Sequence, residues 1–284
     1  MANFILSAFS DEYCDDIIGQ AKALSFHNIE YVELRHANGK NVIDMGNEDI
    51  NEIKNVLDDY SIKVSSIGSP LGKINLQDDF VLHLEKAKRI FETACKLNTK
   101  LVRIFSFYLP NGKKREECKT QVVDNLGKLI ETASDFGLTL CHENEALIYG
   151  ESPEDCRYLL NAFKGKLGCV FDMGNFVLDG YDSVEAYALL KDYVTYFHIK
   201  DSLYAGAVVP AGKGEAQIGS ILRTFLQKNK EKNKTFVTVE PHLQTFDGLN
   251  ALTNKRFDNP YKFENQQLAF DEGVKCFKDI LNDL

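Results

Sequence analysis

The sequence predicts an α/β protein built as one (β/α)8 TIM barrel, because strand-like and helix-like segments alternate along all 284 residues. Two further observations favour this fold: there are eight strand-like segments, and they are nearly continuous in apolar residues, which indicates burial on both faces. A three-layer sandwich is the alternative, but no Gly-x-Gly-x-x-Gly motif follows the first strand-like segment. No linker interrupts the pattern, so we predict a single barrel domain over residues 1–284.

The predicted strands are short apolar runs. In chain order they are FILSAF (4–9), IEYVEL (29–34), IKVSSIG (62–68), LVRIFSF (101–107), LTLCHE (138–143), LGCVFD (167–172), VTYFHI (194–199) and TFVTVE (235–240). Between them lie segments whose apolar residues recur every three or four positions, which predicts amphipathic helices. The clearest of these helices are predicted at 79–97, 119–136 and 264–282.

Composition limits the cellular context and the partners. The formal net charge of −9 disfavours a nucleic acid partner, because phosphate-backbone binding depends on clustered Lys and Arg. The seven cysteines are scattered and never spaced as Cys-x-x-Cys, which is typical of a reduced cytoplasmic protein. No signal peptide is recognisable, and no apolar run approaches the roughly 18 residues that a membrane span needs. We therefore expect a cytoplasmic protein with a small-molecule substrate and no membrane partner, and homo-oligomerisation stays open.

Four consecutive predicted strands end in residues that can bind a metal ion. Strands five to eight end, in this order, at or near Glu143, Asp172, His198 and Glu240. The carboxyl ends of barrel strands meet at one face, where the active sites of such barrels lie. Three carboxylates that converge there without a counter-ion would repel one another, and a divalent cation would remove that cost. The donor set suits one Mn²⁺, Mg²⁺ or Co²⁺ ion, with Zn²⁺ also possible.

The order of these residues, with the local strings HENE, FDMGN, HIKD and VEP, resembles the xylose-isomerase-like barrel superfamily. That superfamily includes sugar epimerases of the tagatose 3-epimerase type, hydroxypyruvate isomerases, inosose dehydratases and endonuclease IV. The resemblance covers essentially the whole chain. It implies that the four residues hold the metal ion and that Glu143 and Glu240 are catalytic and move a proton. The implied function is a sugar or sugar phosphate isomerase or epimerase that works through a metal-stabilised enediolate.

Some positions depart from the pattern of that superfamily. The position three residues after Asp172, usually His in the epimerase and nuclease branches, is Asn175. The loop after strand seven has none of the histidines that endonuclease IV uses, so a nuclease is the least favoured function. An inosose-dehydratase-type lyase stays compatible with the same four ligands, as does a barrel that binds a sugar without turning it over.

Further polar residues close to the predicted strand ends are candidates for substrate binding. They are Lys73, Arg103, Ser106, Glu145, Asn175, Lys200, Asp201 and His242. Lys200 and Asp201 follow His198 and could orient a substrate, although a structural salt bridge is equally compatible with their position. The segment PAGKGE (210–215) could bind a phosphate through backbone amides at a helix start, or its glycines could serve only to make the turn.

Overall fold

Eight parallel strands close into a barrel in the computed structural model, which describes residues 4–229, 234–243 and 261–284. The strands are β1 (Phe4–Ala8), β2 (Tyr31–Leu34), β3 (Lys63–Ile67), β4 (Leu101–Ile104), β5 (Thr139–Glu143), β6 (Leu167–Asp172), β7 (Val194–Ile199) and β8 (Thr235–Val239). Each strand pairs with its neighbours in the sequence, and β1 pairs with β8 along its whole length. The predicted (β/α)8 TIM barrel is confirmed.

Helices flank the barrel in the connections between strands. In the described part of the chain they are α1 (Ile17–Phe26), α2 (Asn47–Asp59), α3 (Phe80–Lys96), α4 (Arg115–Asp135), α5 (Pro153–Ala162), α6 (Met173–Leu178), α7 (Ser183–Leu190), α8 (Ile218–Lys228) and α9 (Gln266–Asn282). The three helices predicted most clearly correspond to α3, α4 and α9, and α4 begins at Arg115 rather than at residue 119. None of the described helices is long and apolar enough to cross a membrane.

Strand β4 is shorter than the prediction of 101–107 and ends at Ile104. The reason is a close approach of the loop after β3, because the Phe105 N–H donates a hydrogen bond to the Leu71 carbonyl at 2.7 Å. Gly72 makes this approach possible. It has a φ of +87°, and a Cβ at this position would lie 2.0 Å from the Phe105 carbonyl oxygen. The chain after β4 is therefore held against the loop and leaves the barrel wall.

Alternation of side chains along β7 shows how the barrel positions its interior residues. Phe197 points outward and packs edge-on against Phe225 of α8, with 5.1 Å between ring centroids. Tyr196 and His198 point inward, and both are fully buried. The Tyr196 hydroxyl lies 3.1 Å from the Ser66 hydroxyl on β3, across the barrel. Polar side chains thus occupy much of the interior, and apolar residues fill the layer between strands and helices.

Candidate metal centre

The structure brings the four predicted metal ligands together at the C-terminal end of the barrel. One ligand atom from each of them can be chosen so that all four atoms lie within 4.8 Å of one another, and all four residues are buried. Strand register explains the convergence: Asp172 lies opposite His198 in the pairing of β6 with β7, and His198 lies opposite Thr238 of β8. These residues are Glu143, Asp172, His198 and Glu240.

His198 lies at the centre of this cluster. Its Nδ1 is 2.8 Å from Glu143 Oε1 and 3.3 Å from Glu240 Oε2. Burial opposes protonation of the ring, but the charges of Glu143 and Glu33 outweigh it and raise the pKa of His198 well above its usual value. Without a metal ion, the imidazole is therefore an imidazolium that partly neutralises the carboxylates around it.

The cluster also contains three buried protein cations. Arg103 Nη1 lies 3.2 Å from Glu143 Oε2, and Arg35 Nη1 donates a hydrogen bond to Glu240 Oε1 at 2.8 Å. Lys200 Nζ lies 2.9 Å from Asp172 Oδ2. Each carboxylate of the cluster therefore has a protein cation beside it, and repulsion among the carboxylates alone does not require a metal ion. Whether the centre suits a metal ion depends instead on its donor atoms.

Two of those donor atoms are left without hydrogen bonds. Glu143 Oε2 and Asp172 Oδ2 are buried, and neither makes a hydrogen bond to any residue that the structure describes, despite the nearby Arg103 and Lys200. Buried oxygens are rarely left in this state, so their lone pairs are available to another partner. Three carboxylates and one imidazole are also a donor set that divalent cations accept. The residues present therefore fit a divalent metal ion.

Burial and neighbouring charges give the three carboxyl groups different pKa values. Burial disfavours ionisation of Glu143, but the charges of His198 and Arg103 outweigh it and lower its pKa to about 2. The pKa of Glu240 is likewise well below its ordinary value, because burial is outweighed by Lys200 and other positive groups. Both glutamates are therefore ionised at neutral pH and can accept a proton.

Asp172 differs from the two glutamates. Burial raises its pKa to about 7, since Lys200 offsets the effect only in part and the charges of Glu240 and Glu143 add to it. The Asp172 Oδ1 atom accepts the backbone N–H of Asn175 at 2.8 Å, as the cap of the short helix α6. Asn175 thus supports Asp172, and its side chain donates a hydrogen bond to the Asn144 carbonyl at 2.9 Å.

Residues on the second strand and in the turns after the first two strands also contact the centre, and sequence reasoning missed them. They are Asp11, Glu12, Glu33 and Arg35, all buried. Arg35 Nε donates a hydrogen bond to Asp11 Oδ2 at 2.8 Å, so the guanidinium joins Asp11 to Glu240. Burial, only partly offset by Arg35, raises the pKa of Glu12 to about 8. A signal was present in IEYVELR (29–35), where the charged residues Glu33 and Arg35 flank Leu34 at the end of a strand-like segment.

Three other predicted substrate-binding residues also lie near the cluster. Lys73 and Glu145 form an ion pair of 2.8 Å, and Lys73 Nζ lies 4.3 Å from the centroid of the Phe105 ring. His242 Nε2 lies 3.2 Å from Glu240 Oε1. Like Arg103 and Lys200, these residues lie close enough to the cluster to contact a substrate bound there. Their roles in substrate binding stay predictions.

Ser106 and Asp201 are engaged elsewhere. Ser106 Oγ lies 3.0 Å from His142 Nε2 and accepts the Gly150 N–H at 2.7 Å. Asp201 accepts hydrogen bonds from the backbone amides of the loop after β7, at 2.7–3.1 Å: those of Ser202, Gly212, Gly214 and Ala216. Asp201 thus uses amides of PAGKGE and its neighbour Ala216 to hold the loop, which contradicts the idea that these amides await a phosphate.

Several solved structures are similar in fold to this chain, at identities that show likeness of fold alone. The probable 3-DHS dehydratase AsbF of Bacillus anthracis matches with a TM-score of 0.72 and 16% identity, over 98% of this chain and 99% of that chain. An IOLI protein with a bound zinc atom matches with a TM-score of 0.72 and 18% identity, over 99% of both chains. The 3-keto-D-glucoside 4-epimerase YcjR of E. coli matches with a TM-score of 0.68 and 13% identity, over 98% and 99%.

Comparison of sequences gives the family. A search of curated protein sequences finds no match to this chain. The profile of one family does match, over residues 21–276, and this range includes all four residues of the cluster. The chain therefore belongs to the xylose isomerase-like TIM barrel family.

Proposed function

We propose that this protein is a divalent-metal-dependent isomerase or epimerase of sugars or sugar phosphates. The observation that carries the proposal is the buried cluster of Glu143, Asp172, His198 and Glu240, whose ligand atoms lie within 4.8 Å of one another. The epimerase among the similar structures and the zinc bound to another of them support it. The family of this chain is consistent with the same activity.

The proposed chemistry is transfer of a proton at carbon. A bound divalent cation would supply Lewis-acid stabilisation of negative charge on the substrate oxygens. Glu143 and Glu240 are the groups that move the proton: both are ionised at neutral pH, so one of them accepts the proton from the substrate carbon, and that carboxylic acid or a water molecule returns one. Return of a proton to the opposite face of the same carbon is epimerisation, and return to the neighbouring carbon is isomerisation.

The positions of the two glutamates suit this exchange. They belong to strands β5 and β8, on either side of His198 from β7, and each lies within 3.3 Å of that imidazole. Arg35 donates a hydrogen bond to Glu240 Oε1 at 2.8 Å, and Arg103 Nη1 lies 3.2 Å from Glu143 Oε2. Burial of both groups strengthens their electrostatic interactions with a bound substrate.

Dehydration is the second candidate. It uses the same first step, removal of a proton beside a carbonyl group, followed by expulsion of a β-hydroxyl instead of return of the proton. The similarity of the fold to a probable 3-DHS dehydratase supports it. A lyase and an isomerase built on these four residues differ in their products, which makes them separable in one experiment.

The test is incorporation of deuterium from D₂O into carbon. The protein is loaded with Mn²⁺, its metal content is measured, and a panel of ketoses and aldoses, free and phosphorylated, is followed by NMR and mass spectrometry. We expect at least one sugar to gain deuterium at the carbon next to its carbonyl group. The Glu240→Gln variant should lower that rate by about 10²- to 10⁴-fold when the rate is corrected for bound metal.

Each outcome decides between the candidates. A protein that holds stoichiometric Mn²⁺ and exchanges no carbon-bound proton in any sugar contradicts the isomerase and epimerase assignment. Loss of water from a panel member, with an enol or dicarbonyl product, identifies the lyase. Failure to bind any divalent ion contradicts the metal centre itself, and an unchanged rate in Glu240→Gln contradicts the role given to that residue.

A further inference from the structure

Glu33 is a buried carboxylate on β2 that the proposed chemistry does not use. Its side chain has no exposure to solvent, and a charge in such a place is costly unless its oxygens are bonded. Oε1 accepts a hydrogen bond from the Tyr196 hydroxyl at 2.9 Å, and Oε2 accepts one from the Thr238 hydroxyl at 2.9 Å. The third partner is His198, whose Nε2 lies 3.1 Å from Oε2.

These contacts determine which nitrogen of His198 faces the cluster. With Nε2 turned towards Glu33, Nδ1 points at Glu143 Oε1 and Glu240 Oε2, at 2.8 and 3.3 Å. Packing holds the ring plane as well, because the Phe9 ring meets it edge-on with 5.1 Å between centroids. A flipped ring would lose the bond to Glu33 and leave part of a buried carboxylate unsatisfied, which is expensive.

Within the described residues, Glu33 forms an ion pair with one basic side chain, that of His198. The nearby cations Arg103 and Arg35 instead pair with Glu143 and with Glu240 and Asp11. Glu33 is thus directed at a single residue of the centre.

We propose that Glu33 is a positioning residue for the metal site, which holds Nδ1 of His198 in place as the metal-binding atom. The inference rests on the proposed function, since it requires the cluster to bind a divalent cation. A carboxylate bonded to the distal nitrogen of a ligating imidazole fixes the orientation of the ring and increases its basicity. Loss of such a partner typically weakens metal binding by about 10- to 100-fold.

The experiment compares the Mn²⁺ affinity of two variants by isothermal titration calorimetry on full-length protein freed of metal. Glu33→Gln keeps the shape of the side chain but removes the charge that faces Nε2, and it should raise the Kd for Mn²⁺ by about 10- to 100-fold. Tyr196→Phe is the matched control, because it removes a hydrogen bond to the other oxygen of Glu33 and leaves His198 in contact. Its Kd should change by less than about threefold.

The comparison separates positioning from general loosening of the core. Loosening would weaken Mn²⁺ binding in both variants alike, and that result overturns the inference. A wild-type Kd in Glu33→Gln also overturns it, while leaving the proposed function standing. If the wild-type protein binds no Mn²⁺, the proposed function fails and the inference fails with it.

A second variant covers the case in which Glu33→Gln does not fold, as judged by circular dichroism. Thr238→Val keeps Glu33 but removes the hydroxyl that anchors Oε2, the oxygen that holds the His198 ring. It should raise the Kd for Mn²⁺ by about 3- to 10-fold, less than loss of the carboxylate charge. An unchanged Kd in this variant overturns the inference in the same way.

Discussion

The two halves of the barrel contribute different groups to the same centre. Strands β5–β8 supply the groups that can bind a metal ion, from Glu143 to Glu240. Strands β1–β4 and the loops after them supply groups that bond those side chains, among them Glu33, Arg35 and Arg103. The second half thus presents the donor atoms, and the first half supplies side chains that hold those donors in position. Variants on each side should therefore fail in different ways.

The largest expected effect comes from Asp172, a proposed metal ligand in the second half. Asp172→Asn should lower the rate of the proposed reaction by about a thousandfold, because it removes a metal-binding oxygen. The metal-free variant should nevertheless be as stable as the wild type, or more stable. Burial raises the folded pKa of Asp172 to about 7, so its ionisation costs stability as the pH rises from about 4 through 7, and Asn removes that cost. Urea unfolding in EDTA at pH 5 and pH 8 measures this.

Asp201 is the matched control, a second buried aspartate that follows a barrel strand. Its carboxylate accepts four backbone N–H groups of its own loop, so Asp201→Asn should lower the free energy of unfolding by about 1–3 kcal/mol. Asp172→Asn should therefore lose Mn²⁺ binding but keep its stability, whereas Asp201→Asn should lose stability but keep Mn²⁺ binding. If Asp172→Asn is strongly destabilised in EDTA, Asp172 is a structural residue and the distinction between the two aspartates disappears.

A variant in the first half should lose stability instead of a ligand. Arg103→Met leaves the buried Glu143 without its guanidinium partner and frees the carbonyls of Gly68 and Ser69. Removal of one member of a buried ion pair costs about 3–5 kcal/mol, and we expect a loss of that size in EDTA. Calorimetry with and without Mn²⁺ measures it. Because a metal ion replaces part of the lost positive charge, Mn²⁺ should raise the melting temperature more in the variant than in the wild type.

Equal stabilisation of both proteins by Mn²⁺ would show that Arg103 does not compensate the charge of the ligand carboxylates. The Arg103→Lys variant is the control for charge alone. It keeps one positive charge beside Glu143 but loses the planar fork that reaches the two carbonyls at once. Its stability should lie between those of the wild type and Arg103→Met.

The second half of the centre could be predicted from the sequence, and the reason is geometric. Parallel strands bring their carboxyl ends to one rim, so a metal-capable residue at the end of each of four consecutive strands predicts a cluster. The positions of Glu143, Asp172 and His198 needed no knowledge of side-chain direction beyond this. The barrel itself follows from eight apolar runs, and it was confirmed.

The first half could not be predicted in the same way. Glu33 and Arg35 contact residues more than 160 positions away, and a sequence does not show which side of a barrel a charged residue faces until the register of the strands is known. The loop of Asp201 presents a related difficulty. Its glycines are compatible with an anion site or with a turn, and only the folded structure shows that the protein's own carboxylate takes the amides.

The smallest effect concerns Lys200, a cation that the second half places among its own ligands. Its Nζ lies 2.9 Å from Asp172 Oδ2 and 3.5 Å from Glu240 Oε2, and its side chain is 4% exposed. A fixed positive charge at this distance repels a second cation in a medium of low dielectric constant. Lys200→Met should therefore strengthen Mn²⁺ binding by about tenfold, which calorimetric titration measures.

Lys73→Met is the control for this change, because the Lys73 side chain is similarly buried but pairs with Glu145, which is not a ligand of the cluster. Its Kd for Mn²⁺ should change by less than about twofold, since the paired carboxylate of Glu145 balances its charge. Weaker Mn²⁺ binding in Lys200→Met would mean that Lys200 holds Asp172 and Glu240 in place for the metal ion. In that case the division between a half that presents donors and a half that positions them would not hold. The second half would then supply a metal ligand, His198, and a positioning group, Lys200, two residues apart.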